Sequence, residues 1–244
     1  MAETLAHQPA AAAPKSLLAR AIGIPTSPRA TYASVAARPR ALGALLLILA
    51  IAATVTVAFL STEVGQQALL DQQVQQARAF GRDMTAAQQA QMERMLPYFG
   101  YIGAVAQVVS ITLISLVVAG LSLAVFNALL GGDATFKHVF AIVVHSGFII
   151  TLQQLFVLPL DYVRESFTSP TTLAVFLPFL EDNTFAARLL GSIELFIIWW
   201  AVSLAIGLGV LYKRQTGPIA AGILTVYFVI VLVIAAIRTA LAGV

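Results

Sequence analysis

The run Arg188–Tyr212 decides the fold, and it reads RLLGSIELFIIWWAVSLAIGLGVLY. Between Leu189 and Leu211 it holds a single formal charge, Glu194. A helix needs about 20 apolar residues to cross a bilayer, at a rise of about 1.5 Å per residue. The run therefore predicts a membrane helix that carries Glu194 about 10 Å in from its Arg188 end.

The composition extends this prediction to the whole chain. Its 244 residues are 59% hydrophobic and 10% charged, whereas a soluble domain is about 25% charged. The formal net charge of +3 is small and scattered, which disfavours nucleic acid as a partner. Cysteine is absent, so disulfides, thiolate metal sites and thiol nucleophiles are excluded. The chain is therefore predicted to be an all-α, polytopic membrane protein whose first partner is the lipid bilayer.

Five apolar runs predict five transmembrane helices in one membrane domain, residues 41–244. The segment before them, residues 1–40, is predicted to be cytoplasmic, disordered at first and then interfacial. Within it Lys15–Ile24 predicts a short helix whose Lys15 and Arg20 meet lipid head groups. The predicted spans cover residues 41–60, 98–130, 138–160, 188–212 and 219–241.

Basic residues near the span ends predict the orientation. With the N-terminus inside, the inner segments hold more Lys and Arg than the outer ones, in much shorter loops. This favours a cytoplasmic N-terminus and an extracytoplasmic C-terminus in the cell inner membrane. The inner set is Lys15, Arg20, Arg29, Arg38, Arg40, Lys137, Lys213 and Arg214.

The first outer loop, Ser61–Leu96, is predicted to be helical. Thr85 and Gln88 form a capping box, so a second short helix should begin at Ala86 and end near Pro97, or lead into the next span. Two interpretations are open: a hairpin that binds a partner outside the membrane, or a lid on the protein's own outer face. One face of the first, Gln-rich helix carries Leu70, Val74, Ala77 and Phe80/Gly81.

Polar groups inside the spans are the natural candidates for a functional site. A carboxylate in hydrocarbon costs on the order of 3 kcal/mol, so Glu194 needs a partner or a proton. It is predicted to bond one or more residues at similar depth, either as a clasp that fixes helix register or as a proton or cation site. The predicted partners are Gln107, Gln153, Gln154 and Arg238.

Two further features are candidates for polar contact or for packing. His145 and Asn127 form a possible second polar site near the inner side. Ala201, Ala205 and Gly209 recur every four residues and predict a small-residue stripe for close helix contact. No HExxH, GxSxG, Walker or GxGxxG motif is present, so we expect no enzyme activity, metal or cofactor.

Three stretches in this order resemble the Yip (Ypt-interacting protein) family, in its bacterial branch. They are SPRATY at 27–32 before the first span, GGDATFK at 131–137, and IELFIIW at 193–199. The resemblance implies five spans and a cytoplasmic N-terminus. The small-GTPase link of the eukaryotic branch does not carry over, since its DLYGP-type stretch is missing. Some bacterial relatives look like accessory subunits beside ABC-type exporters or envelope systems.

Two functions from different classes follow from these observations. The first is a non-enzymatic accessory or scaffolding protein that binds another membrane protein, an ABC-type transporter for example, or its own copies. The alternative is a small transporter or channel subunit with a polar path around Glu194, Gln153, Gln154 and His145. A water-accessible cavity at Glu194 would favour transport, whereas a sealed cluster would favour a structural role.

Overall fold

The computed structural model describes residues 15–79, 82–177, 179 and 184–241. Across these residues the regular structure is helical, apart from one isolated antiparallel bridge between Thr172 and Glu194. The tail predicted to be disordered, residues 1–14, lies outside the described residues, as do Phe80 and Gly81. The α-helices of the described chain are α1 (Leu17–Thr26), α2 (Pro28–Ala37), α3 (Leu42–Leu60), α4 (Glu63–Ala79), α5 (Ala86–Leu123), α6 (Phe136–Ser146), α7 (Phe148–Arg164), α8 (Phe185–Gly191), α9 (Leu195–Leu211) and α10 (Thr216–Leu241).

Four helical segments of the described chain are long and apolar enough to cross a membrane. This confirms the all-α membrane class. The α9 helix has 17 residues and extends about 25 Å, somewhat less than the ~30 Å of a hydrocarbon core. The fifth span therefore stays a prediction. The four segments are Leu42–Leu60, Ala86–Ala128, Phe136–Arg164 and Thr216–Ala240.

The run at 188–212 is not the continuous helix that its hydrophobicity predicts. The α8 helix ends at Gly191, and α9 begins only at Leu195. Between them Glu194 is extended, with φ −99° and ψ 123°. Its neighbours complete a short bridge to residues 171–173, through Leu173 N–H to the Ile193 carbonyl at 3.0 Å. The break places Glu194 at the N-cap of a helix, where backbone N–H groups are free to bond a carboxylate.

The capping box at Thr85 is confirmed. The Gln88 N–H donates to Thr85 Oγ1 at 3.3 Å, and the Thr85 N–H donates to Gln88 Oε1 at 2.9 Å. Of the two outcomes left open at Pro97, an end of the helix there is excluded, because Pro97 lies inside α5. The helix that begins at Ala86 and the predicted second span are thus one continuous helix of 38 residues, about 57 Å long. The third predicted span also differs, since it divides at Gly147 into α6 and α7.

The α1–α2 hairpin is part of the bundle core. Ile24, Tyr32 and Val35 are at most 1% exposed and pack in one cluster with residues of α3, α6 and α9. The Tyr32 hydroxyl lies 2.8 Å from Ser203 Oγ on α9. Arg20, expected among lipid head groups, is 5% exposed. The hairpin therefore completes the membrane bundle and is more than an interfacial attachment.

Three helices approach one another closely at Gly207 of α9. A Cβ there would lie 2.5 Å from Ile142 Cγ2 and 2.9 Å from Tyr32 Cε1. We expect Gly207→Val to lower the free energy of unfolding by about 1–3 kcal/mol, because the α2 ring and the α6 methyl must move. Thermal unfolding in detergent measures the effect. Gly222→Val on α10 is the control, since a Cβ there meets nothing within 4 Å. Equal losses of stability in the two variants would contradict the packing argument.

Candidate functional site at the start of α9

Glu194 is buried and both of its carboxylate oxygens accept hydrogen bonds. Its side chain is 8% exposed. Ser169 Oγ donates to Oε2 at 2.6 Å, and Thr171 Oγ1 donates to Oε1 at 2.5 Å. The Phe196 N–H contributes a longer bond to Oε1 at 3.4 Å. The carboxylate therefore joins the loop before α8 to the first turn of α9.

Tyr227 of α10 fastens the same break from the other side. The Glu194 N–H donates to the Tyr227 hydroxyl at 2.8 Å, and that hydroxyl donates to the Ser192 carbonyl at 3.2 Å. One side chain thus bonds a free N–H and a free carbonyl that the interrupted helix exposes. We call Glu194, Ser169, Thr171 and Tyr227 the α9 clasp.

The local sequence explains why two hydroxyls reach one carboxylate. Ser169 and Thr171 flank Pro170 in a turn, in which the Thr171 N–H donates to Ser169 Oγ at 3.4 Å and the two hydroxyl oxygens lie 3.1 Å apart. Thr171 also accepts the Leu195 N–H on its carbonyl at 3.1 Å, which holds the loop against α9. The two closely spaced hydroxyls were the sequence signal for a hydrogen-bonding loop. The sequence analysis did not identify these hydroxyls, or Tyr227, as partners of Glu194. They were missed because the run at 188–212 was treated as one helix.

The four predicted partners of Glu194 lie elsewhere in the described structure. The Gln107 side chain bonds Thr56 on α3. Arg238 is exposed, and its carbonyl oxygen accepts from Arg188 at 3.3 Å. The side-chain amides of Gln153 and Gln154 are half-buried and make no hydrogen bond with any described residue. The prediction that Glu194 bonds one of this set is therefore wrong; the set was Gln107, Gln153, Gln154 and Arg238.

His145 is buried and Asn127 is half-buried, and the two side chains have different hydrogen-bond partners. His145 is fully buried, and its Nδ1 bonds the Ala141 carbonyl at 2.7 Å, while Nε2 has no partner among the described residues. The Asn127 amide donates to the Ala134 carbonyl at 2.8 Å and accepts from the Tyr212 hydroxyl at 2.9 Å. The pair does not form the joint polar site that its predicted depth suggested.

The predicted small-residue stripe is buried along α9. Ala201 and Ala205 are at most 1% exposed, and Gly209 is buried as well. A Cβ at Gly209 would lie 3.0 Å from the Arg214 carbonyl, in the turn that leads into α10. The stripe thus serves contacts inside this chain.

A second candidate site lies outside the bundle core, between the end of α4 and the start of α5. We call it the methionine groove; its volume is about 700 Å³ and its lining includes Met84, Met92, Met95, Phe99, Arg82 and Asp83. The α4 helix packs mainly against its chain neighbours α3 and α5. Both interpretations of the loop, the hairpin that binds a partner and the lid, therefore stay predictions.

The two sites differ in what they can do chemically. In the α9 clasp both carboxylate oxygens are occupied by protein donors, which favours the register-fixing interpretation over an exchanging proton or cation site. The methionine groove is open and lined mainly by apolar surface, with charged and amide side chains among its lining residues.

Comparison with known proteins gives one match. The Yip1 domain matches residues 22–237, a range that runs from within α1 to within α10. No curated protein and no solved structure matches the chain. Because this domain covers most of the chain, the protein belongs to the Yip family.

Proposed function

We propose that this integral membrane protein is a non-enzymatic accessory or scaffolding subunit that binds another membrane or envelope protein. The methionine groove is the observation that carries the proposal. It is a large, mainly apolar concavity at the N-terminal end of α5, between that helix and the end of α4.

The lining of the groove suits a helix from a partner. Methionine side chains are flexible and polarisable, so Met84, Met92 and Met95 can repack around side chains of different shape. Arg82 and Asp83 at the rim offer charge of both signs for orienting the partner. Amphipathic helices dock into grooves of this kind by their apolar face.

The length of α5 supports a position of the groove outside the bilayer. The helix extends about 57 Å, whereas the hydrocarbon core is about 30 Å thick. Its Gln-rich first three turns, Ala86–Met95, therefore extend beyond the lipid while the apolar remainder crosses it. We place this end on the extracytoplasmic side of the inner membrane, with the N-terminus cytoplasmic, five spans including α9, and the C-terminus extracytoplasmic.

The family resemblance guides the choice of partner. Some bacterial relatives look like accessory subunits beside ABC-type exporters, so an ABC-type transporter is the first partner to seek. A second copy of this chain, bound through the groove, is the second. A transport path through this chain has less support, because the Glu194 carboxylate is sealed by Ser169 and Thr171. The clasp is a structural element in this proposal.

A charge placed in the groove tests the proposal. We expect Met92→Glu to abolish co-purification of a stoichiometric membrane-protein partner in mild detergent, because the carboxylate would be buried against apolar side chains. Ala90→Glu is the matched control, since it lies on the same helix, is exposed and does not line the groove. Mass spectrometry of the purified complexes measures both, and the melting temperatures should stay equal.

Two results would contradict the proposal. One is a partner that survives Met92→Glu as well as it survives Ala90→Glu. The other is a protein that purifies from its native membrane with no companion and no second copy. Either result would make ion flux in liposomes, measured on Glu194 variants, the next experiment.

A further inference from the structure

Arg20 of α1 is a buried cation without a protein partner. Its side chain is 5% exposed, and its Nε has no hydrogen-bond partner among the described residues. Arginine stays charged in proteins, so it cannot escape burial by losing its proton. A buried charge without a partner costs several kcal/mol, so a native structure is expected to supply an anion.

The surroundings of Arg20 add positive charge. Burial, and then the charges of Arg40 and Arg38, lower the pKa of the guanidinium. No carboxylate of the described chain pairs with it. The described residues therefore supply no anion to Arg20.

This cation lies at the end of the bundle where α3 begins, which we call the basic end. The loops at this end meet, since Arg214 donates to the Leu130 carbonyl at 2.9 Å and Arg29 donates to Thr216 Oγ1 at 3.3 Å. Eight cations belong to it within the described chain, against a single acid, Asp133. The eight are Lys15, Arg20, Arg29, Arg38, Arg40, Lys137, Lys213 and Arg214.

We propose that Arg20 binds a phosphate group at the basic end of the bundle. A guanidinium matches the oxygens of a phosphate in geometry and in charge. Two sources share this chemistry: the head group of an anionic lipid, and free phosphate. Basic pockets between membrane helices on the cytoplasmic side are known to bind lipid phosphates in general. This site is independent of the methionine groove.

Binding measurements on delipidated protein in phosphate-free buffer test the site. The probes are mixed phosphatidylcholine–phosphatidylglycerol micelles, phosphatidylcholine micelles and inorganic phosphate. We expect Arg20→Gln to weaken binding of the anionic probe about tenfold, which corresponds to the loss of one charge-assisted bond. Arg29→Gln should bind as the wild type does. It removes one charge from the same end of the bundle, but from an exposed side chain, so it controls for diffuse attraction.

The outcomes separate the sources of the anion. Binding of phosphatidylglycerol but not of inorganic phosphate identifies a lipid head group, and binding of both identifies a general phosphate site. Equal weakening by Arg20→Gln and Arg29→Gln would overturn the proposal, and so would wild-type protein that binds neither probe. If Arg20→Gln does not fold, two other experiments test the proposal. One repeats the binding measurements on Arg20→Lys, and the other uses native mass spectrometry to identify lipid that the wild type retains. A wild type that retains no anionic lipid and binds no inorganic phosphate overturns the proposal.

Discussion

Replacing Tyr32 with alanine is expected to lower the free energy of unfolding by about 3–5 kcal/mol, the usual cost of deleting a buried aromatic ring. Tyr32 is 0% exposed and is the largest fully buried side chain among the described residues. Its ring packs against Gly207 of α9, where no side chain can fill the space left behind. Ser203 would also lose its 2.8 Å partner. Thermal or denaturant unfolding in detergent measures the loss.

Tyr32→Phe is the matched variant. It keeps the ring and removes only the hydroxyl, so its cost should be about 1 kcal/mol, the net value of one hydrogen bond. A melting temperature for Tyr32→Ala as high as that for Tyr32→Phe would show that the ring contributes no packing. The α1–α2 hairpin would then be a peripheral attachment, as its sequence suggested.

The second large effect is expected at the α9 clasp. Glu194→Leu removes the acceptor of Ser169, Thr171 and the Phe196 N–H together. A buried donor left without a partner costs about 1–3 kcal/mol, so a total loss of about 3 kcal/mol or more is expected. The loss should appear as a lower melting temperature and a lower yield of folded protein.

Two controls accompany this variant. Glu93→Leu removes an exposed carboxylate from α5 and should leave stability unchanged. Glu194→Gln keeps one acceptor oxygen in a similar volume, so its cost should lie between those of the wild type and Glu194→Leu. Wild-type stability for Glu194→Leu would rule out the clasp and direct attention to proton or cation movement at this carboxylate.

The capping box and the apolar runs could be predicted because they depend on local sequence. Thr85 and Gln88 are three residues apart, and their bonds need nothing from the rest of the chain. The all-helical membrane class follows from hydrophobicity alone, since a bilayer offers no partner to backbone N–H and C=O groups. Family membership also followed, from three short stretches in a fixed order.

The partners of Glu194 could not be predicted in the same way. Depth along an assumed continuous helix placed Gln107, Gln153 and Gln154 beside it. The helix is broken at this residue, and hydroxyls from a loop about 25 residues earlier occupy the carboxylate instead. A charged residue in an apolar run therefore has two ways to be satisfied. It can bond across helices, or it can end the helix and take a cap.

The α1–α2 hairpin was underestimated for a different reason. Its sequence is short, rich in alanine and interrupted by proline, so it carries little hydrophobic signal. The information lies in complementarity: Tyr32 is the one aromatic side chain of the hairpin, and α9 offers Gly207 opposite it. Such a match between segments far apart in sequence has no local pattern.

The distance between Tyr32 and Ser203 along the chain also has a consequence for biogenesis. The two residues are 171 positions apart, so the hairpin leaves the ribosome well before its binding partner exists. At ordinary rates of synthesis this interval is about 10–35 s. During it Ile24, Tyr32 and Val35 can contact α3 and then α6, but not α9. The hairpin thus completes its contacts only in a bundle whose α9 has been inserted.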